Sequence, residues 1–267
     1  MKIKSIIIIA ILCVSVSTCS AQVLNNSEEK IEDWAGHIRI EGKSNTVWSG
    51  IVTVGDSNIS AKNVNTGEME EYYISYPSVL GAFDEASKID GFSYTVDYWP
   101  DWDAFIIKSV ENDSEWWHYW VDFSLPMVDV GKFELTDTDS EIIIGYLEDW
   151  QAHLLKIYVD KSEVKKGEEI TVSVRNETDL VVEDATVFVG SNSYTTDSNG
   201  NITIKITKKG NFDIYSEKNG FVRSEKKNIH VNAKTAQKNK ISTQIMNLLY
   251  KVQNLYFLLI KLINIFK

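Results

Sequence analysis

Between residues 46 and 150, apolar and polar residues alternate in short runs, the period of a strand with one buried face. Val47 to Val54, Glu71 to Ile74, Phe92 to Val96, Ala104 to Val110, Trp116 to Asp122, Lys132 to Leu135 and Glu141 to Tyr146 are β-branched or aromatic stretches bounded by Gly, Asn, Asp or Pro. They predict strands. One segment changes period. From Tyr76 to Lys88, the residues Leu80, Phe83 and Ala86 share one helical face, Ser78 stands where an N-cap belongs, and Gly91 follows as a stop. Residues 46–150 are therefore expected to form an α+β domain, one helix on a mixed or antiparallel sheet. Residues 22–45 are expected to be an N-terminal linker.

Beyond it the pattern is strand throughout. Leu155 to Val159, Ile170 to Val174, Ala185 to Val189, Asn201 to Ile206, Asn211 to Ser216 and Asn228 to Val231 alternate as half-buried strands do, with turn residues at 166–168, 197–200 and 209–211. Short strands at this spacing predict an all-β, immunoglobulin-like sandwich over residues 155–232. The segment from Thr195 to Ile204 resembles the hairpin of immunoglobulin-like stalk repeats in surface proteins. Asp197, Asn199 and Asn201 within it read as turn formers, because the rest of a calcium loop is missing.

The two ends differ from the middle. Lys2 and Lys4 precede an apolar run from Ile6 to Val16, and small residues follow up to Ala21. Residues 1–21 are thus expected to be a cleavable export signal. Both cysteines of the chain, Cys13 and Cys19, lie inside it, so thiol chemistry is not expected of the mature protein. Five Asn-x-Ser/Thr tripeptides, at Asn25, Asn58, Asn112, Asn176 and Asn201, then become candidate glycosylation sites. In the tail, residues 233–267, Ile245, Leu248, Leu249, Val252, Leu255, Tyr256, Leu259, Ile260, Ile263 and Phe266 recur at helical spacing. With Lys251 and Lys261 inside the stretch, a basic amphipathic helix lying in a membrane interface is expected, the alternatives being a spanning helix and a helix packed on the protein's own acidic domain or on a partner helix.

Charge sharpens this layout. The 267-residue chain has a formal net charge of −11, yet residues 22–154 hold 26 acidic against 7 basic side chains, residues 155–232 hold 12 of each, and residues 233–267 hold six lysines and no acid. All eight tryptophans fall in the acidic part. Such a head is a poor partner for nucleic acid, whose backbone is bound by Lys and Arg. Its densest chemistry runs from Asp97 to Asp103 and from Glu111 to Trp120. Trp99, Trp102, Trp116, Trp117, Tyr119 and Trp120 beside carboxylates suit a site where flat rings stack on a sugar or planar ligand. Three readings follow from these residues: an aromatic ligand-binding patch, plain core packing, or a carboxylate pair that hydrolyses a glycosidic bond through Asp101, Asp103 and Glu115. Alternation places Trp116, His118 and Trp120 on one face of their strand and Trp117, Tyr119 and Val121 on the other. The four histidines lack metal-ligand spacing, and no phosphate loop, serine elbow or Cys/His pair is present, so neither a metal site nor a catalytic centre is expected.

The order of several segments carries a resemblance. Val47 to Val54, Ser78 to Ala86, Phe92 to Val96, Phe105 to Val110, Trp117 to Val121, Pro126 to Val128 and Thr136 to Glu141 together resemble an uncharacterised surface-domain family related to the carboxyl-terminal β-domain of transcobalamin and intrinsic factor. The resemblance covers about residues 46–150. It implies a β-grasp-like domain and a precedent for binding small molecules, cobalamin among them. Two departures stand against cobalamin itself: Phe123 occupies a turn where the family carries glycine, and nothing in the chain supplies the helical barrel that covers the other face of the vitamin. No cofactor is otherwise expected. The combined expectation is an exported, non-enzymatic surface protein that binds a small molecule, a glycan or another surface protein. The alternatives are a structural component of the cell envelope, a corrinoid-binding protein and a glycan hydrolase.

Overall fold

The computed structural model describes residues 32–233 and 238–265. The export signal, Asn25 and the first part of the expected linker lie outside them. The described residues are mostly strand, with two helices. The first half of the chain forms β1 (Trp34–Glu41), β2 (Thr46–Val54), β3 (Ser57–Asn63), β4 (Met69–Ile74), α1 (Val79–Asp90), β5 (Tyr94–Trp99), β6 (Ala104–Val110), β7 (Asp113–Ser114), β8 (Trp117–Val121) and β9 (Glu141–Tyr146). These make two sheets, ordered β2-β1-β9-β8 and β4-β3-β5-β6-β7. In the first sheet β1 is antiparallel to β2 and parallel to β9, pairing Ile38 with Ile142 and Ile40 with Ile144. In the second, β3 is antiparallel to β4 and parallel to β5.

Helix α1 forms where the apolar spacing places it. The Ser78 hydroxyl accepts a hydrogen bond from the Gly81 amide at 3.0 Å, and Gly91, at φ 86°, ends the helix. Val79, Leu80, Ala82, Phe83 and Ala86 enter the core with Ile38, Ile40, Ile59, Val96, Ile142 and Ile144. A Cβ on Gly81 would lie 2.9 Å from Ser57 Oγ and 3.0 Å from Val54 Cγ2, so glycine lets the helix lie this close to the sheets.

The second half forms β10 (His153–Val159), β11 (Glu163–Lys165), β12 (Glu169–Asn176), β13 (Thr186–Val189), β14 (Asn192–Thr195), β15 (Asn201–Lys205), β16 (Gly210–Glu217), β17 (Phe221–Val222) and β18 (Lys227–Asn232). Its sheets are β15-β12-β10-β17 and β11-β18-β16-β13-β14, and both contribute to one core, with Ile157, Val172 and Ile204 from the first and Val187, Ile214 and Ile229 from the second. Asp197 shapes its loop as a turn former, accepting the amides of Asn199 and Asn201, each at 2.9 Å. Helix α2 (Lys238–Ile265) follows. Among the described residues no helix is long and apolar enough to cross a membrane.

A third cluster joins the halves. Trp120 and Ile143, on the outer face of β8 and β9, pack against Ala152, Leu154 and Val222. The approach is close enough that a Cβ on Gly145 would meet Val222 at 2.6 Å. Beside it lies a buried ion network. Glu41 accepts from Arg39 Nη1 at 3.0 Å and from Arg223 Nη1 at 3.1 Å, Arg39 Nη1 also donates to the Arg223 carbonyl at 2.9 Å, and Arg223 Nε reaches Glu217 at 2.7 Å.

Three expectations are corrected. The segment 22–45 is not all linker: Trp34–Glu41 is a central strand, buried on both faces at Ile38, Arg39, Ile40 and Glu41. Its buried charged residues, Arg39 and Glu41, lie against Arg223 of the second half. Ser57–Asn63, which the pattern passed over, is also a strand, made of small and polar residues around Ile59 and Ala61. Conversely, Lys132 to Leu135 is a turn that contributes one isolated bridge, Ser78 to Glu134.

Candidate ligand-binding site

The β5–β6 hairpin carries one of two partly exposed tryptophan pairs. Its turn, Pro100-Asp101-Trp102-Asp103, is closed by the Trp102 amide to the Trp99 carbonyl at 3.1 Å and the Asp103 amide to the Pro100 carbonyl at 3.2 Å. Asp103 takes φ 48°, in the left-handed region that aspartate tolerates better than most residues. This turn stacks Trp99 on Trp102, with ring centroids 5.1 Å apart and planes 14° from parallel. Trp102 is 66% exposed. Below the pair, Tyr98 packs on Tyr72 at 4.4 Å and on Phe105 at 4.9 Å, so the rings stand on an aromatic base anchored in the core.

Polar groups surround the stack. Asp103 accepts from Tyr98 Oη at 2.8 Å and pairs with Lys132 at 3.1 Å, and Asp101 accepts from Asn65 Nδ2 at 3.3 Å. The Tyr98 hydrogen bond, followed by Lys132, holds the Asp103 carboxyl below its usual range. Glu70 is likewise lowered, first by its hydrogen bond from Tyr72 and then by Asn63, while burial and Glu70 push the Tyr72 phenol up to about 12. The site therefore presents ionised carboxylates, a lysine and two indole faces. That set can accept hydrogen bonds from hydroxyls and stack on a flat or sugar-like ligand.

The other tryptophans go elsewhere. Trp116 meets Trp150 edge-on at 5.1 Å, and Trp150 is 84% exposed. The backbone reaches this second pair through successive left-handed residues, Glu115 (φ 63°) and Trp116 (φ 57°). Trp117 packs on the first core and donates through its indole N–H to the Asp113 carbonyl at 3.2 Å. Tyr119 is buried, its hydroxyl bound to the Val128 carbonyl at 2.5 Å, and Trp120 is fully buried between the halves. The expectation that Tyr119 and Trp120 face a ligand is thus corrected: both faces of β8 are covered, one by the first core and the other by the second half. Glu115 is bound to Lys108 at 2.7 Å, which lowers its pKa. Among the described residues no group of three or more His, Cys, Asp or Glu side chains is placed to hold a metal ion.

Of the glycosylation candidates in the described residues, Asn58 and Asn112 are exposed. Asn176 and Asn201 are half-buried and hydrogen-bonded, Asn176 to the amides of Thr178 and Leu180 and Asn201 to Ser173 Oγ at 2.6 Å. Sequence reasoning missed Lys132, Asn65 and Trp150, which reach the two tryptophan pairs through folding rather than proximity in the chain. It also missed a cleft of about 890 Å³ between the halves, lined by Lys43, Tyr146, Glu148, Phe188, Phe221 and Arg223 among others. Compared with protein-family models and with curated proteins, the chain matches none.

Proposed function

We propose that this is an exported surface-binding protein that uses the Trp99–Trp102 stack as its recognition platform, without chemistry of its own. The observation that carries this reading is an exposed Trp102 stacked on a half-buried Trp99 over an aromatic base, with Asp103 and its partner Lys132 in the same turn region. An exposed indole forgoes burial that the fold offers elsewhere, and rigid rings with one polar end are enriched at interfaces. A glycan or other polyhydroxylated ligand fits best, since its ring faces stack on indole and its hydroxyls donate to Asp101 and Asp103.

The order β2-β1-β9-β8 with a parallel β1–β9 centre, and α1 packed beside it, supports a β-grasp-like head. The two sheets sharing one core in residues 153–232 support an immunoglobulin-like spacer behind it. The test is titration of tryptophan fluorescence with a glycan panel. Binding should quench or blue-shift the emission, and Trp102→Ala should abolish the response while changing unfolding free energy by less than about 0.5 kcal/mol, as at other exposed positions. A response that survives Trp102→Ala would move the site elsewhere. A second reading, a purely structural envelope component, is favoured by the fully buried Trp120 and by the ion network that joins the halves. Under that reading no ligand in the panel perturbs the emission.

A further inference from the structure

Helix α2 keeps its apolar residues in water in a regular order. Ile245, Leu248, Val252, Leu255 and Leu259 are all more than half exposed, from 52% at Ile245 to 71% at Leu255. The steps between them alternate three and four residues, and in the sequence Ile241 and Leu262 extend the same register. That is a seven-residue repeat, which keeps one seam facing a partner helix as the two wind together, whereas a lone helix with a 3.6-residue period has no need of it. The identities at the seam are selective. The first position of the repeat holds Ile245, Val252 and Leu259, and the fourth holds Ile241, Leu248, Leu255 and Leu262. β-Branched residues at the first position with leucine at the fourth favour two parallel strands over three or four, a pattern that Ile245 and Val252 with Leu248, Leu255 and Leu262 follow and that Leu259 and Ile241 do not.

The surroundings of the seam agree. Asn247, Gln253 and Asn254 lie on the far side of the helix, and Leu249 and Tyr256 broaden the seam along one edge. Between Ile245 and Leu259 the single charged residue is Lys251, at a flanking position, so over this stretch two parallel copies bring no lysine against lysine, whereas Lys238, one repeat before Ile245, would face its counterpart. We infer that α2 docks on α2 of a second copy of this chain as a parallel, in-register, two-stranded coiled coil, which would present two heads side by side. Two weak platforms held together gain affinity for a repetitive surface without any new contact.

The experiment is light-scattering mass measurement of the full chain after gel filtration, paired with cysteine cross-linking. The chain should run at twice its own mass. The double exchange Leu248→Lys with Leu255→Lys should halve it, and Tyr250→Lys, on the outside of the pair, should leave it double. On a background of Cys13→Ser and Cys19→Ser, Leu255→Cys should oxidise to a covalent dimer and Gln253→Cys should not, which reads parallel register without depending on a destabilising charge. A single-chain mass at all concentrations overturns the inference, as does an assembly that survives the double lysine exchange. So does a chain that stays single and sediments with phosphatidylglycerol vesicles, the behaviour of a helix lying in a membrane interface.

Discussion

At the scale of residues, the most consequential side chains are charged and hidden. Arg39 and Glu41 are 2% and 1% exposed, and each is bonded across to Arg223 or its backbone. Glu41 accepts from two guanidinium groups and from the Thr46 hydroxyl at 3.0 Å, and shares the compensation of their two charges with Glu141 beside Arg39 and Glu217 beside Arg223. Removing one partner of such a network leaves an uncompensated buried charge. Glu41→Ala is therefore expected to lower unfolding free energy by about 3–5 kcal/mol, measured by urea denaturation. A loss below about 1 kcal/mol would mean that water reaches the two arginines and that the network is no more than a surface ion pair. None of this was legible in the sequence, where residues 22–45 read as a linker.

At the scale of elements, α1 is the part where local chemistry suffices: its cap, its stop and its apolar face all stand within 14 residues, from Ser78 to Gly91. Strands β8 and β9 are the opposite case. Covered on both faces over much of their length, they lose the alternation that marks a half-buried strand, and only their neighbours reveal why. His118 on β8 records this burial. Its Nε2 lies 3.1 Å from the Leu147 carbonyl, and desolvation lowers its pKa below the usual histidine value, outweighing the pull of that carbonyl and of Asp149. The unfolded chain therefore binds a proton at His118 at a higher pH than the folded one. The stabilisation is complete above about pH 6.5 and is lost as pH falls from there through the lower folded-state value. The melting temperature should consequently fall between about pH 7 and pH 5, and His118→Phe should flatten that slope. An equal slope in the variant would assign the effect to other groups.

At the scale of the whole molecule, what matters is the third cluster. Trp120, Ile143, Leu154 and Val222 make the two halves share a core, and the Glu41–Arg223 pair spans the same junction. The halves should therefore melt together in one calorimetric transition rather than as beads on a string. Trp120→Ala, expected to cost about 3–5 kcal/mol, should split that transition in two. Two separate transitions in the unaltered protein would show that the junction couples nothing. The same junction contributes Val222 and Arg223 to the cleft between the halves.

By itself the sequence determined the strand-rich character, the single helix of the first half, the turns of the second and the concentration of tryptophan in an acidic head, because each rests on local spacing and residue chemistry. Only the tertiary structure decided which tryptophans are core and which are surface. Indole chemistry is the same in both places, and burial is a property of what folds over the ring. Trp120 and Trp102, both beside acidic and aromatic residues in the chain, part company for that reason: one is covered by strands more than thirty residues away, and the other caps a hairpin that nothing covers.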